Sequence, residues 1–238
     1  MSAITIDALR EGTLLLFDKP MYWTSFDLVN KVRNIVRRVT GEKKIKVGHA
    51  GTLDPLATGL MIVCTGRQTK SITGMIGLDK EYVATLKLGS TTPSFDLESE
   101  VDGVYPVSHI TNELIGSVIV KFTGEQFQTP PAFSAKLING KRAYEYARKG
   151  DMREPAPVKI VIREMELVSY SGDELIMRVL CSKGTYIRSL ARDIGHALGS
   201  GAHLISLKRT RIGDYELAEA LSVEDFEKYT ALLKQTAK

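Results

Sequence analysis

Leu28, Val32, Ile35, Val36 and Val39 fall at i, i+4, i+7, i+8 and i+11, which predicts an amphipathic helix capped by Thr24 or Ser25 and ended by Thr40-Gly41. Its opposite face carries Lys31, Arg33, Asn34, Arg37 and Arg38. Two short unbroken apolar runs read differently. Gly12 to Phe17, stopped by Asp18-Lys19-Pro20, and Leu60 to Cys64 predict buried strands. Lys80 to Leu88 alternates, with Tyr82, Ala84, Leu86 and Leu88 on one face and Val83, Thr85 and Lys87 on the other, as a strand ending at Gly89.

Further along, Gln68 to Ile76 and Ile110 to Val120 predict helices. Val158 to Val168 and Glu174 to Cys181 predict a β-pair joined across Ser171-Gly172-Asp173. Thr185 to Leu198 is a helix with Ile187, Leu190, Ala191, Ile194 and Leu198 inward, and Ala202 to Arg211 a short apolar, then basic segment. Ser222 caps a last helix carrying Phe226, Leu232 and Leu233.

Two stretches break the pattern. Ser90 to Pro106 is polar and acidic, and reads as an exposed connection. Phe122 to Leu137 contains Thr129-Pro130-Pro131-Ala132-Phe133-Ser134-Ala135, too rich in proline for a central strand, before the Asn139-Gly140 turn and a short helix reaching Gly150. Residues 122–157 are thus expected to leave the main sheet, basic and mobile at their tip. The element order fits an α+β (mixed α/β) fold, a mixed, largely antiparallel sheet with flanking helices, better than a doubly wound nucleotide fold. Residues 1–238 are expected to form a single domain, with 212–238 a short helical tail.

At 43% hydrophobic and 25% charged residues, the composition is that of a soluble globular chain. No apolar run approaches the roughly 20 residues needed to cross a bilayer. The N-terminus carries no leader-like segment, so no membrane partner is expected and the cytoplasm is the expected compartment. Cys64 and Cys181 sit in apolar runs, and His49, His109, His196 and His203 lack metal-ligand spacing, so neither a disulfide nor a metal site is expected. Glycine-rich nucleotide loops are missing too, and no cofactor is indicated. The net charge of +4 is modest but segregated. Lys31 to Lys46 holds seven Lys or Arg against Glu42, and Lys183 to Arg211 holds six against Asp193. Such stretches suit a polyanion, nucleic acid being the commonest.

The densest punctuation lies between Val47 and Gly66, with four glycines, Pro55, His49 and the carboxylate of Asp54 running into the apolar Leu60–Cys64 segment. So many turn-forming residues demand a backbone path that ordinary residues cannot follow. On spacing alone, Asp54 reads equally as a reactive carboxylate on a rigid loop or as a solvated turn residue.

The segment Gly48-His49-Ala50-Gly51-Thr52-Leu53-Asp54-Pro55-Leu56-Ala57-Thr58-Gly59 resembles the G-H-x-G-x-L-D-P-x-A-x-G signature of the TruB family of pseudouridine synthases. Asp18-Lys19-Pro20, Lys80-Glu81-Tyr82, the Thr129–Tyr144 insertion and Cys181-Ser182-Lys183-Gly184-Thr185-Tyr186-Ile187-Arg188 are similar to further motifs of that family, in the same order, as are Gly201-Ala202-His203-Leu204 and Leu207 with Arg209. Two departures stand out. Lys136 directly follows Ser134-Ala135, where the family reads S-A-x-K, and after Arg211 an acidic helical tail stands where many members carry a PUA-type RNA-binding domain.

The resemblance implies a pseudouridine synthase fold, with residues 122–157 as an inserted thumb. It also implies isomerisation of uridine 55 in the T-arm of tRNA, by a monomer needing no guide RNA. Asp54 would be the nucleophile, Arg188 would lie beside it and keep it ionised, and Tyr82 would lie on the base and move a proton. His49 would fill the gap left by the flipped uridine, Tyr186 would contact the nucleotide and Leu207 would wall the uracil. Lys19 would contact the pocket or the RNA backbone, while Lys31 to Arg38 and Lys208 to Arg211 would hold phosphates. Alternatives are the guide-dependent catalytic subunit of H/ACA particles and a non-catalytic RNA-binding module or tRNA folding chaperone.

Overall fold

The computed structural model describes residues 4–236, which form two compact units. The first comprises the chain through Lys80 together with the segment from Lys208 onward, and the second comprises Glu81–Leu207.

The first unit opens with α1 (Ile6–Glu11), capped by the Thr5 hydroxyl, and β1 (Leu14–Lys19). In α2 (Ser25–Thr40) the Thr24 hydroxyl accepts from the Asp27 N–H while the Asp27 carboxylate accepts from the Thr24 N–H, and left-handed Gly41 ends the helix. Next come β2 (Val47–His49), β3 (Ala57–Thr65), a 3₁₀ turn over Gly66–Ser71 and α3 (Ile72–Ile76). Both β1 and β2 run antiparallel to β3, which is buried on both faces. On one face Leu16, Ala50, Leu60, Ile62, Cys64 and Ile212 form a cluster. On the other, the Phe17 ring meets Phe226 edge-on at 5.2 Å. The sequence pattern had predicted α2 and both strands, but not α1, which has only Leu9 buried and is too short to show a period.

In the second unit the chain forms β4 (Lys80–Leu88), the small pair β5 (Ser90–Thr91) and β6 (Gly103–Val104), and α4 (Asn112–Phe122). Then follow β7 (Gly124–Gln128), the hairpin β8 (Leu137–Ile138) and β9 (Lys141–Arg142), and α5 (Ala143–Ala147). The long pair β10 (Val158–Ser171) and β11 (Glu174–Cys181), α6 (Ile187–Ala197) and β12 (Ala202–Ile212) complete it, β12 starting in this unit and finishing in the first. The strand order is β4-β11-β10-β7. As the alternation predicts, Tyr82, Ala84, Leu86 and Leu88 of β4 are buried. On β11, Arg178 pairs with Glu81, Glu164 and Glu166 at 2.7, 2.7 and 2.6 Å.

Two expectations need correction, and a third gains detail. The segment at 122–157 does not leave the sheet at once: Gly124–Gln128 pairs antiparallel with β10, and only from Thr129, where the prolines begin, does the chain depart. The Ser90–Pro106 connection is not simply exposed, because Thr92, Ser94 and Asp96 are buried around an internal hydrogen-bonded turn. Finally, the apolar and then basic segment Ala202–Arg211 lies within one strand, in which the basic Arg209 takes a buried position.

The chain closes in the first unit with β13 (Tyr215–Glu216), a 3₁₀ turn and α7 (Val223–Thr236). Glu227 of α7 takes Lys31 Nζ at 2.7 Å and also pairs with Arg38. Part of the basic face expected to hold phosphates is therefore matched within the protein. Among the described residues no helix is long and apolar enough to cross a membrane.

Candidate active site

The loop between β2 and β3 carries Asp54, and four separate elements of the first unit hold it. At the start of α2, the Ser25 hydroxyl donates to the Leu53 carbonyl at 3.0 Å and accepts from the Leu53 N–H at 2.8 Å, fixing the residue before Asp54. The Asp54 carbonyl accepts from Ala57 N–H at 3.1 Å, and the Pro55 carbonyl from Tyr22 N–H at 2.8 Å. The Gly59 N–H donates to the Asp18 carboxylate of β1 at 3.1 Å. Asp54 is half-buried at the crest of this frame.

The fourth element is Arg209 of β12. This side chain is 1% exposed, and its Nε donates to the Leu60 carbonyl at 2.8 Å. Its two Nη atoms reach the Gly51 carbonyl at 3.1 Å and the Thr52 carbonyl at 3.5 Å. A phosphate cannot reach this guanidinium, so the expected phosphate role of Lys208–Arg211 is corrected at Arg209, which braces the loop instead. Gly59 shows why its glycine is needed. At φ +102°, a Cβ there would stand 2.3 Å from the Arg209 carbonyl oxygen. The dense glycine pattern thus reflects strand-to-loop packing as well as turn geometry.

Lys19 is 0% exposed. Its ammonium donates to the carbonyls of Trp23 at 2.6 Å, Pro20 at 2.9 Å and Pro55 at 3.4 Å. Burial pulls its pKa down to about 8, while the charge of Asp54 opposes the fall and Arg209 adds to it. Of the two contacts the family resemblance implies for Lys19, with the pocket or with the RNA backbone, the second would require displacing those carbonyls. Lys19 lies instead beneath the turn, where the negative charge of Asp54 acts on it.

His49, on β2 opposite Val63, has a buried Nδ1. Burial holds its imidazole below the usual value; the Gly51 backbone opposes this and Arg209 reinforces it. The unfolded chain binds the proton near pH 6.5, whereas the folded ring binds it only at lower pH. Stability from the neutral ring is therefore complete above pH 6.5 and lost as pH falls toward the lowered value. Urea unfolding at about pH 7.5 and 5.5 is expected to show a larger acid loss for wild type than for His49→Gln. Equal losses would show that His49 is not coupled to folding.

In the second unit, Arg188 on the first turn of α6 is 4% exposed. It donates to the Ser94 carbonyl at 3.2 Å and the Phe133 carbonyl at 3.0 Å, and its Nε lies 3.4 Å from the Asp96 carboxylate. Asp96 is in turn held by the Ser94 hydroxyl at 2.6 Å and the Glu98 N–H at 2.9 Å. This buried carboxylate was missed because it opens an acidic run that reads as solvent-facing. Gln128 clamps Tyr186 through both backbone groups, its Oε1 accepting at 2.8 Å and its Nε2 donating at 3.1 Å. The Ser189 hydroxyl donates to the Thr129 carbonyl at 2.8 Å. These bonds tie the start of α6 to the base of the 129–157 excursion, whose hairpin turns at Asn139 and Gly140 with φ +50° and +79°. Lys136 accepts through its carbonyl from Ala143 N–H at 2.7 Å. Tyr82 and Leu207 are buried in β4 and β12.

The candidate residues thus fall into two groups. Lys19 at the end of β1, His49 on β2, Asp54 on the braced loop and Arg209 on β12 lie in the first unit, while Tyr82, Tyr186, Arg188 and Leu207 belong to the second. Of the braces, Ser25, Gln128, Asp96 and the structural role of Arg209 had no legible signal, since each acts through backbone groups or across long sequence separations.

Comparison with known proteins bears on this arrangement. The family model described as TruB family pseudouridylate synthase, N-terminal domain, matches residues 37–187, and that of the tRNA pseudouridylate synthase B C-terminal domain matches 188–238. The chain is 57% identical over 220 residues to tRNA pseudouridine synthase B of Phocaeicola vulgatus, covering 92% of this chain and 94% of that protein. It is 59% identical over 218 residues to the Parabacteroides distasonis protein of the same name, with 92% and 93% coverage. Among solved structures, a chain of a Cbf5-Nop10-Gar1 complex superposes with TM-score 0.74 at 27% identity, covering 99% of this chain. This chain spans 59% of the length of that one. On the two family models and these relatives, the chain belongs to the TruB family of pseudouridylate synthases.

Proposed function

We propose that this protein isomerises uridine 55 in the T-loop of tRNA to pseudouridine, with Asp54 as the nucleophile. In that reaction the N1–C1′ bond breaks, the base turns, and a C5–C1′ bond forms as C5 gives up a proton and N1 gains one. Cleavage develops positive charge on the ribose and negative charge on the uracil, and a carboxylate answers the first need. The observation that carries the reading is the bracing of the Asp54 loop by Ser25, Asp18, Lys19 and Arg209, which pre-sets the carboxylate's backbone. Arg188 would steady the carboxylate's charge, and Tyr82 would cover the base and move a proton. His49, neutral by burial, would replace the departed uridine in its stack. Tyr186 would contact the nucleotide, Leu207 would wall the uracil, and Lys19 would hold the turn under Asp54. The whole chain would work as one catalytic domain, a cytoplasmic monomer without cofactor or guide RNA, with the 129–157 excursion closing on the T-arm.

The likeness to a chain of a Cbf5-Nop10-Gar1 complex raises a second reading, a subunit directed by guide RNA. Purified protein incubated with an unmodified tRNA transcript alone separates the two. Chemical mapping is expected to find pseudouridine at one T-loop uridine. Modification that needs added guide RNA and partner proteins, or that falls on another RNA, would overturn the assignment.

A further inference from the structure

Just before α2, a bulky residue occupies a backbone conformation that suits glycine. Tyr22 has φ +68°, and its side chain is 76% exposed. Left-handed backbone at a large residue is strained and persists only where the surroundings enforce it. Here they do. The Tyr22 N–H is bound to the Pro55 carbonyl, and the Lys19 ammonium takes the carbonyls of Pro20 and Trp23 on either side. Nothing about that backbone path requires a tyrosine side chain, and glycine would follow it without strain. The ring is held outward, one hydrogen bond from the residue that follows Asp54.

The surroundings of the ring indicate what it meets. Met21 and Phe26 are also exposed, at 43% and 63%, so three large apolar groups lie within six residues on the surface. Phe26, Asn30, Arg33 and Arg37 fall at i, i+4, i+7 and i+11 on α2, so an aromatic head leads into a polar and then basic stripe along one helix face. Arg33 is oriented along it by Asn30 Oδ1 at 2.6 Å and the Val47 carbonyl at 3.3 Å. Aromatic rings followed by guanidinium groups suit a nucleic-acid strand, the rings stacking on base faces and the cations meeting phosphates. A protein partner would need an acidic surface matched to the basic half of that stripe.

We propose that Tyr22, supported by Phe26, is a stacking platform for an unpaired base of the substrate RNA next to the uridine being modified, and that it sets substrate affinity. The proposal rests on the reading of Asp54 as the reactive group. Its step is non-covalent: Tyr22 positions RNA and takes no part in bond making.

The test compares wild type, Tyr22→Gly and Tyr22→Phe on an unmodified T-arm transcript, measuring Kd, KM, kcat and Tm. Base–aromatic stacking contributes about 1–3 kcal/mol per base, so Tyr22→Gly is expected to raise Kd and KM about ten-fold. Its kcat should stay within about two-fold, because stacking outside the reacting atoms acts on binding alone. Tyr22→Phe should bind as wild type does. The Tm of Tyr22→Gly should be no lower than wild type, since glycine relieves the backbone, which separates lost stacking from lost fold. Unchanged Kd and KM in Tyr22→Gly would overturn the proposal. So would a variant whose self-association changes in sedimentation while RNA affinity does not, which would mark the patch as a contact between copies. A wild-type protein that binds the transcript but never modifies it would overturn the functional reading, and the Kd comparison would still decide the role of Tyr22.

Discussion

Arg209→Met is expected to destabilise the protein by roughly 3 kcal/mol or more and to remove most of its activity. Methionine fills a similar volume but donates nothing. The Leu60 carbonyl would lose its donor inside the core, and the half-buried Gly51 and exposed Thr52 carbonyls would lose the guanidinium that holds the loop against β12. Each buried carbonyl left unsatisfied costs about 1–3 kcal/mol, and removing a desolvated charge returns part of that sum. Against a typical domain stability of about 5–15 kcal/mol, the remainder is large. Arg209→Lys should recover only part of the loss, because one ammonium cannot span three carbonyls set by a planar fork. Urea midpoints of the three proteins check this. A methionine variant as stable as wild type would show that the loop holds itself.

Asp54→Asn is expected to be the opposite kind of variant, folded and inactive. Asparagine keeps the shape and the main-chain bond from Ala57 N–H to the residue-54 carbonyl. It carries no negative charge and is a poor nucleophile, so turnover should fall by on the order of 10⁴-fold or more. Substrate affinity should change only a few-fold, since the phosphate and stacking contacts proposed above involve other residues. The charge of Asp54 also supports the protonated form of Lys19, so the Lys19 pKa should drop further in this variant. Because that ammonium is bound by three carbonyls, the fold should tolerate the change.

The contrast between these variants reflects what can be read along a chain. The α2 helix is legible because its apolar residues recur at a fixed interval, β3 because its apolar run is unbroken, and β4 because its alternation is nearly complete. Asp54 was legible as a residue of interest through the turn chemistry around it, although the same pattern fitted a solvated turn until the family motifs were considered. The braces were not legible. Ser25 acts on Leu53, and Arg209 acts on Leu60, 149 positions away in the chain. No local period marks such pairs. Charge misled in three places for one reason: sequence counts charges without their partners. Arg209 is satisfied by carbonyls, Lys31 and Arg38 by Glu227, and Asp96 lies buried near Arg188 in what looked like an acidic surface loop.

In the proposed reaction the carboxylate of Asp54 carries out the isomerisation. The most direct test is chemical mapping of pseudouridine on one T-arm transcript after incubation with wild type or with Asp54→Asn, with RNA binding measured for both. The account predicts modification of a single T-loop uridine by wild type, none by the variant, and binding by both. Turnover by Asp54→Asn at the wild-type rate would contradict it.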